Sequence, residues 1–297
     1  MLKIESVTKS FRKKKVLNNI TLNVKPGEVV ALAGPNGVGK TTLLNLIAGI
    51  SSINEGSVTI DSIPLKNYLR RNRGIGYFQQ DFLFFNHRTF ADQLNLFFDL
   101  AGYSKIQKEE FLERWISDMN LQPHYKEKIK NLSHGTVVKL NFLQTIIGSP
   151  EILLFDEPFS GLDVEQTILV RKYLRKIKTQ SGIAIISSHD LHLLDNGLCN
   201  RFVFLQDGEI VRSLSEKEIQ ENYMTIVCSE DESEKLYKKL FGLHYNAKVI
   251  DIGEPEVKIV VECKTKEIKN LAKKEAGSLR IIERSDTKDI YRLFVTS

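Results

Sequence analysis

The chain has 297 residues, of which 42% are hydrophobic and 27% charged, and its formal net charge is +5. These values are ordinary for a soluble globular protein with enough apolar residues for a core, and the length predicts about two domains. No apolar run approaches the length needed to cross a bilayer, which excludes a membrane-spanning chain. The modest charge suits an ordinary solvated surface, and also a membrane surface or an anionic nucleotide.

The cysteines and the N-terminus indicate the compartment. Cys199, Cys228 and Cys263 are odd in number and widely spaced, which argues against a disulfide framework or a zinc site and for a reducing cytosol. Asn18 and Asn19 interrupt any apolar core of a signal peptide. If the protein works at a membrane, we expect another chain to do the spanning.

The first elements are predicted to be strands. Residues 2–7 alternate like an edge strand, and residues 16–24 continue in the same style. The basic run at residues 12–15 is interpreted as a solvated turn between them, with a nucleic-acid or lipid patch as the alternative. After a Pro-Gly turn, the apolar residues 29–33 predict a buried parallel strand.

A phosphate-binding loop follows this strand. It reads G-x-x-x-x-G-K-T and comprises Gly34, Pro35, Asn36, Gly37, Val38, Gly39, Lys40, Thr41 and Thr42. The glycines let the backbone wrap around phosphates, and the N–H groups of the following helix point at the anion. We expect Lys40 to reach the β- and γ-phosphates and Thr41 to ligate Mg²⁺. A glycine-rich turn before an ordinary helix is the disfavoured alternative, because strand, loop, Lys-Thr and helix occur in order.

An all-helical insertion is predicted for about residues 81–135, after an apolar strand that ends in Gln79 and Gln80. Helical spacing is clearest at residues 89–98 and 108–116. Six phenylalanines make the region unusually aromatic: Phe82, Phe84, Phe85, Phe90, Phe97 and Phe98. We interpret them as local core or, in part, as a docking surface, because exposed aromatic residues mark interfaces.

Buried strands then alternate with helices, which predicts a mainly parallel sheet. Ser133 is placed to cap a helix that runs to about residue 147. Buried strands are predicted at residues 152–155 and 183–186, and a hairpin at residues 201–211.

Two adjacent carboxylates end the strand at residues 152–155. Asp156 is placed to hold Mg²⁺ through water beside Thr41. Glu157 can direct its carboxylate at the water that attacks a γ-phosphate, since neighbouring side chains project differently. A merely polar strand end is the alternative, and the preceding phosphate-binding loop disfavours it.

A second, smaller domain is predicted at residues 216–297, after a first domain at residues 1–215. Residues 212–222 read as a polar, helical linker. The elements that follow are strand 224–228, helix 232–240, strands 247–253 and 256–263, helix 266–276 and strand 279–284. This βαββαβ order is that of the ferredoxin-like fold, and residues 286–294 fit a short capped helix.

Over residues 1–215 the sequence resembles the ATP-binding cassette (ABC) ATPase family. The matches are collinear: Phe11 with the adenine-stacking aromatic, Gly34–Thr42 with the P-loop, Gln80 with the Q-loop glutamine, Leu132–Thr136 with the signature, Asp156 and Glu157 with the Walker B end, Ser160–Asp163 with the D-loop, and His189 with the switch histidine. By itself Phe11 reads as a partly buried core residue, and Gln79 is the shifted alternative to Gln80.

The resemblance implies a fold, two cofactors and a set of roles. The implied fold is α/β: a P-loop NTPase cassette with a mainly parallel sheet, an antiparallel N-terminal β part and a helical insertion, followed by the small α+β domain. The implied cofactors are ATP and Mg²⁺. Glu157 is implied as the catalytic base and His189 as a γ-phosphate contact. Gln80 is implied to contact Mg²⁺ and to sense a transmembrane partner.

The signature departs from the usual L-S-G-G-Q at two positions, because His134 replaces the first glycine and Thr136 the glutamine. Ser133 and Gly135 remain. In the family this segment binds the γ-phosphate of ATP held by the opposite subunit, and the D-loop match implies Asp163 as a further nucleotide-binding residue. Related cassettes of the ABC-2 export type often carry L-S-H-G, so we expect activity to be retained.

The resemblance therefore predicts the ATP-hydrolysing subunit of an ABC exporter. Its implied partners are a transmembrane permease and a second cassette, either another copy or a paralogue, with no nucleic acid. The implied location is cytoplasmic, peripheral on the inner face of the cell membrane. The alternatives are an importer ATPase, a soluble ABC protein acting in translation or on DNA, and an ATP-gated clamp without turnover. Glu157 and His189 argue against the ATP-gated clamp, and the absence of a second cassette, zinc motifs or long coiled coils argues against the soluble ABC protein.

Overall fold

A computed structural model describes residues 1–70, 74–80, 84–179, 181–189, 194, 197–251, 256–263, 281–285, 289–290 and 293–294. The strands are β1 (Leu2–Phe11), β2 (Lys14–Val24), β3 (Val29–Ala33), β4 (Glu55–Ile60), β5 (Ile63–Pro64), β6 (Ile75–Phe78), β7 (Ile152–Asp156), β8 (Ile183–Ser188), β9 (Arg201–Gln206), β10 (Glu209–Ser215), β11 (Tyr223–Ser229), β12 (Asn246–Asp251), β13 (Glu256–Glu262) and β14 (Ile281–Arg284).

The helices are α1 (Lys40–Ile47), α2 (Leu65–Arg70), α3 (Phe90–Leu100), α4 (Lys105–Asp118), α5 (His134–Ile146), α6 (Val164–Thr179), α7 (Glu216–Asn222) and α8 (Glu230–Gly242). Two short 3₁₀ turns, Gln122–His124 and Ile129–Asn131, precede α5. In the described part of the chain, no helix combines the length and the hydropathy that a membrane crossing needs.

The central sheet has the order β10-β9-β3-β8-β7-β6, and all its pairs are parallel except β10 with β9. The predicted mainly parallel sheet is therefore confirmed. The strands β3, β7 and β8 are buried along their whole length, as expected for a sheet covered on both faces. Alternate side chains of these strands enter two separate hydrophobic clusters, one on each face of the sheet.

The N-terminal sheet is antiparallel, with the order β2-β1-β4-β5. The prediction that residues 2–7 form an edge strand is wrong, because β1 pairs with β2 on one side and β4 on the other. Half-buried alternation occurs in any strand with one solvated face, so it does not distinguish an edge strand from an interior one. Arg12 and Lys13 lie exposed in the turn between β1 and β2.

The described part of the insertion is helical, apart from one isolated bridge between Thr89 and Lys128. Capping boxes at Thr89 with Asp92, and at Ser104 with Gln107, start α3 and α4. The aromatic residues divide as follows: Phe90 and Phe98 are buried, Phe84 and Phe97 are partly buried, Phe85 is exposed, and Phe82 lies outside the described residues.

The C-terminal sheet has the order β12-β13-β11-β14 with antiparallel pairs throughout. This is the strand order of a ferredoxin-like sheet, with α8 as the first of its helices. The predicted helix 266–276 lies outside the described residues. The predicted helical linker is wrong at its start, because β10 continues to Ser215, which then caps α7 through a capping box with Glu218.

Candidate nucleotide-binding site

The phosphate-binding loop is fixed by close backbone approaches. Gly39 caps α1 with a φ of 112°, and a Cβ there would lie 2.7 Å from a Leu17 methyl and 3.0 Å from the Val16 carbonyl. A Cβ at Gly34 would lie 2.8 Å from the Leu205 carbonyl on β9. These two positions therefore require glycine, and the loop turns tightly from β3 into the N-terminus of α1, where N–H groups can face an anion.

Lys40, at the start of α1, is a buried cation with defined partners. Its Nζ donates to the carbonyl oxygens of Gly34 at 2.7 Å and of Pro35 at 3.1 Å. Burial lowers the pKa of Lys40, while the carboxylates of Glu157 and Asp156 act in the opposite direction. The ammonium group therefore lies inside the loop and is incompletely compensated, which favours an additional anion there.

A hydroxyl–carboxylate pair joins α1 to the end of β7. The Thr41 Oγ1 donates to Asp156 Oδ2 at 2.6 Å, and the Ser187 hydroxyl, from β8, donates to the other carboxylate oxygen. Asp156 and Ser187 are paired across the parallel strands, which brings the strand ends together. Burial, and then the Asp156 charge, raise the pKa of Tyr77 on the neighbouring β6, so its phenol stays neutral.

These residues fit Mg²⁺. This ion takes one or two protein oxygens and completes its octahedron with water and phosphate oxygens, and Thr41 and Asp156 supply such oxygens next to the phosphate loop. No group of three or more His, Cys, Asp or Glu side chains able to hold a metal occurs among the described residues. The donor set therefore suits a metal that arrives with a phosphate ligand rather than a resident zinc.

Glu157 is held in an unusual backbone conformation with a φ of 51°. Its N–H donates to the Ser187 carbonyl at 3.2 Å. Its carboxylate accepts from the Ser188 hydroxyl at 3.3 Å and from the His189 N–H at 3.0 Å, and lies 2.9 Å from His189 Nδ1. A non-glycine residue in this region costs about 1–3 kcal/mol and persists only where surrounding contacts enforce it. The carboxylate is thereby aimed beside the phosphate loop.

One cavity of about 290 Å³ collects most of the predicted site. Its lining consists of Asn36, Gly37, Gly39, Lys40, Thr41, Thr42, Gln80, Asp156, Glu157 and His189. The structure thus places Gln80, not Gln79, at the phosphate loop, while the Gln79 carbonyl accepts a hydrogen bond from Asn141 at 2.9 Å. A second cavity of about 430 Å³ shares Asn36 and Gly37 and extends toward Lys15 and the β9–β10 turn at Asp207.

The signature and D-loop residues lie together, outside the lining of this cavity. Ser133 caps α5, with its hydroxyl 2.8 Å from that of Thr136. A Cβ at Gly161 would lie 2.9 Å from the His134 ring, so the two segments touch. Asp163 accepts from the Gln166 N–H at 2.8 Å at the start of α6.

Phe11 also lies outside the lining of both cavities at the phosphate loop. Its side chain is 51% exposed at the end of β1, and the Lys9 ammonium lies 4.9 Å from its ring centroid. Phe11 is therefore not the partly buried core residue that its sequence position alone predicts, and it does not line the phosphate cavity.

Sequence reasoning missed Ser187, Ser188 and Tyr77. The serines position Asp156 and Glu157, and Tyr77 adjoins Asp156. The sequence does show two consecutive hydroxyl side chains at the carboxyl end of a buried strand, which is where ligand sites of parallel sheets form. Which carboxylates these hydroxyls contact depends on which strands pair, and the sequence alone does not show that pairing.

The fold and this cavity define a P-loop nucleotide-binding protein. The family described as ABC transporter matches residues 17–160. The uncharacterized ABC transporter ATP-binding protein MJ1023 of Methanocaldococcus jannaschii is 34% identical over 210 residues, which are 71% of this chain and 76% of that protein. The chain belongs to the ABC transporter ATP-binding protein family, and it is an ATPase subunit of that kind.

Other relatives differ in direction of transport. The lipopolysaccharide export system ATP-binding protein LptB of Acidithiobacillus ferridurans is 28% identical over 227 residues, 75% of this chain and 94% of that one. The sn-glycerol-3-phosphate import ATP-binding protein UgpC 1 of Rhizobium johnstonii is 28% identical over 210 residues, 70% and 57% of the two chains. A solved dimeric structure of MJ0796, a bacterial ABC transporter cassette, is 25% identical with a TM-score of 0.64, covering 72% of this chain and 98% of that one.

Proposed function

We propose that this ATPase subunit powers export through a separate membrane-spanning permease, using Mg²⁺-ATP bound at the Gly34–Thr42 loop. One observation carries the proposed hydrolysis of Mg²⁺-ATP: a single cavity gathers Lys40, the Thr41–Asp156 pair, Glu157 and His189 at the ends of adjacent parallel strands. A γ-phosphate seated there meets a cation, a magnesium site and a carboxylate that can act on water. This is the set that phosphoryl transfer to water requires.

Binding of the triphosphate falls to the loop and Lys40. The N–H groups at the start of α1 bind phosphate oxygens, and Lys40 exchanges its carbonyl partners for the β- and γ-phosphates. Thr41 and Asp156 would hold Mg²⁺, the latter through water, and Gln80, which lines the same cavity, would add an oxygen. When bound, the ion neutralises charge on the β- and γ-phosphate oxygens.

Glu157 orients the attacking water and accepts its proton. The Ser188 hydroxyl and the His189 N–H fix the carboxylate, and the His189 ring, 63% exposed, faces the entering γ-phosphate. A base positioned in this way contributes about 10²–10⁴-fold to the rate. Phe11 lies outside both cavities, but it is paired with Lys14, which lines the second one, and its exposed ring offers a π-face on which the adenine would stack.

The catalytic site is shared between two cassettes. Within one chain, Ser133, Gly135 and Asp163 lie outside the lining of the phosphate cavity. A second cassette in head-to-tail orientation brings its own Ser133 segment over the γ-phosphate, and each chain contributes to both sites. That the related MJ0796 cassette has been solved as a dimer supports the pairing of two cassettes.

The permease docks in a groove of about 840 Å³ on the side of Gln79 and Tyr77. Its rim carries the exposed apolar residues Ile50 and Leu100, beside half-buried Phe97. Exposed apolar residues around a concavity are typical of a protein interface. The groove adjoins Gln80, so a bound γ-phosphate and a docked permease both act on the position of the segment that contains Gln79 and Gln80. The protein is then cytoplasmic and peripheral on the inner face of the membrane.

The export direction rests on the L-S-H-G signature, which resembles ABC-2 export cassettes, and on the domain proposed at residues 216–297 beyond the cassette of residues 1–215. Both features concern segments outside the lining of the chain's own phosphate cavity. In proteoliposomes with outward-facing cassettes, external ATP should drive substrate inward; ATP-driven release would instead identify an importer.

Permease docking is tested by affinity purification from native membranes. A Leu100→Glu chain should lose a co-purifying integral membrane protein that the native chain retains, because the new charge cannot be desolvated in the groove. Phe241→Glu is the matched control, since Phe241 is similarly exposed on α8. Equal recovery of the same membrane protein by both variants would place the docking surface elsewhere.

A further inference from the structure

The described residues at positions 289–290 and 293–294 join the C-terminal sheet to the cassette core. The described members of this closing segment are Asp289, Ile290, Leu293 and Phe294, all helical. Ile290 is fully buried in the hydrophobic cluster that also contains residues of β3 and β9, and Leu293 and Phe294 pack against it. Residues of both predicted domains therefore meet in this cluster, while the C-terminal sheet also has a separate hydrophobic cluster with α8.

The closing segment is anchored at one end to the C-terminal sheet. Asp289 is buried, and its carboxylate accepts from the Thr225 hydroxyl at 3.3 Å and lies 3.4 Å from the Lys258 ammonium. Ser285 adds a hydroxyl contact to Thr225 at 2.9 Å. A buried carboxylate held by several partners has little freedom to move, so the segment has a defined position on this sheet.

Phe294, at the other end, is enclosed by three side chains. Its ring lies 6.1 Å from that of Phe204 and 5.9 Å from that of Tyr223, and the Arg212 guanidinium lies 5.3 Å from its centroid. Arg212 and Tyr223 both bond to Glu262 on β13. The ring is thus clamped between the cassette strand β9 and the C-terminal sheet.

The strand β9 is also the wall against which the phosphate loop turns. Phe204 is paired with Ala33, the residue directly before Gly34. The next carbonyl along β9, that of Leu205, lies so near Gly34 that a Cβ there would approach it to 2.8 Å. Further along, the Gly208 carbonyl accepts from the Asn18 N–H at 2.8 Å. The position of β9 therefore limits the path of the loop that holds the phosphates.

We propose that Phe294 is a positioning residue for ATP: it fixes Phe204 and β9, and through them the Gly34 end of the phosphate loop. Packed interiors transmit small displacements rather than absorbing them, so a loosened β9 changes loop geometry. The inference rests on the proposed binding of phosphates by Gly34–Thr42. It makes the C-terminal region part of the nucleotide site's framework rather than an appended module.

The test compares two Phe→Ala variants of the full chain. Phe294→Ala should weaken ATP binding about 3- to 10-fold, within the range that packed side chains transmit, and should raise KM for ATP more than it lowers kcat. Phe241→Ala removes the same side chain from a 70% exposed position on α8. It should leave ATP binding, KM and kcat unchanged. Phe294→Leu, which refills most of the space, should restore most of the affinity.

A folded Phe294→Ala chain with native ATP affinity would overturn the inference. If that chain does not fold, Arg212→Ala is measured instead, because it keeps the ring but removes its cation, and native affinity there would equally refute the proposal. Lys40→Ala, measured in parallel, distinguishes a failure of the Phe294 inference from a failure of the proposed phosphate site. If it binds ATP normally, the proposed phosphate site itself fails, whatever Phe294 does.

Discussion

Replacing Glu157 by Gln is expected to leave ATP binding intact and to lower ATP hydrolysis by about 10²–10⁴-fold. Glutamine keeps the size of the side chain, and its one oxygen can still accept from the His189 N–H while its amide NH₂ lies at the oxygen position that faces the Ser188 hydroxyl. It cannot accept the proton of the attacking water. The phosphate loop, Lys40 and the Thr41–Asp156 pair are untouched, so the affinity for ATP should not fall.

The same variant should accumulate as an ATP-bound dimer, because the γ-phosphate that holds two cassettes together is no longer removed. Phosphate release and size-exclusion chromatography with Mg²⁺-ATP measure the two effects. Glu5→Gln, an exposed position on β1, is the matched control and should behave like the native chain. Near-native turnover of the Glu157→Gln chain would show that another group is the base.

Ser133→Arg is expected to abolish ATP-induced pairing while leaving monomer ATP affinity nearly unchanged. The Ser133 hydroxyl contacts only its own helix start in the described hydrogen bonds, through the Thr136 N–H and hydroxyl. The introduced arginine side chain therefore leaves the phosphate cavity of its own chain intact. It obstructs the surface on which a second cassette would pack. His134→Gly, which restores the common family residue, should keep pairing.

Mixing the Ser133→Arg chain with a Lys40→Ala chain tests whether the site is shared. The mixed dimer keeps one intact site, formed by the phosphate loop of the first chain and the signature of the second. ATP-dependent mixed dimers are expected, although neither variant should pair alone. If Ser133→Arg prevents ATP binding even by the monomer, the head-to-tail arrangement is wrong for this protein.

Much of the phosphate site was predictable because its chemistry constrains the local sequence. A loop that wraps a phosphate needs glycines at Gly34 and Gly39, and the metal and base need carboxylates at a strand end, as at Asp156 and Glu157. Each requirement is met by residues close together in the chain. The choice between Gln79 and Gln80 needed the structure, because both follow the same strand and only one lines the cavity.

The remaining features depend on contacts between distant segments. Nothing near β1 indicates that β4 pairs with its second side, which is why an edge strand was predicted. The roles of Ser187 and Ser188 follow from the pairing of β7 with β8. Likewise, the packing of Phe294 on Phe204 joins residues 90 positions apart, and the local pattern there predicts only a short helix.

Asp156 and Thr41 are proposed to hold Mg²⁺ beside a triphosphate bound by the Lys40 loop. Calorimetric titration of ATP into the native chain and into Asp156→Asn, each with and without Mg²⁺, measures this contribution. The native chain should bind ATP more tightly with Mg²⁺, and Asp156→Asn should lose that increment while keeping the metal-free affinity. An undiminished Mg²⁺ effect in Asp156→Asn would show that Asp156 does not hold the ion.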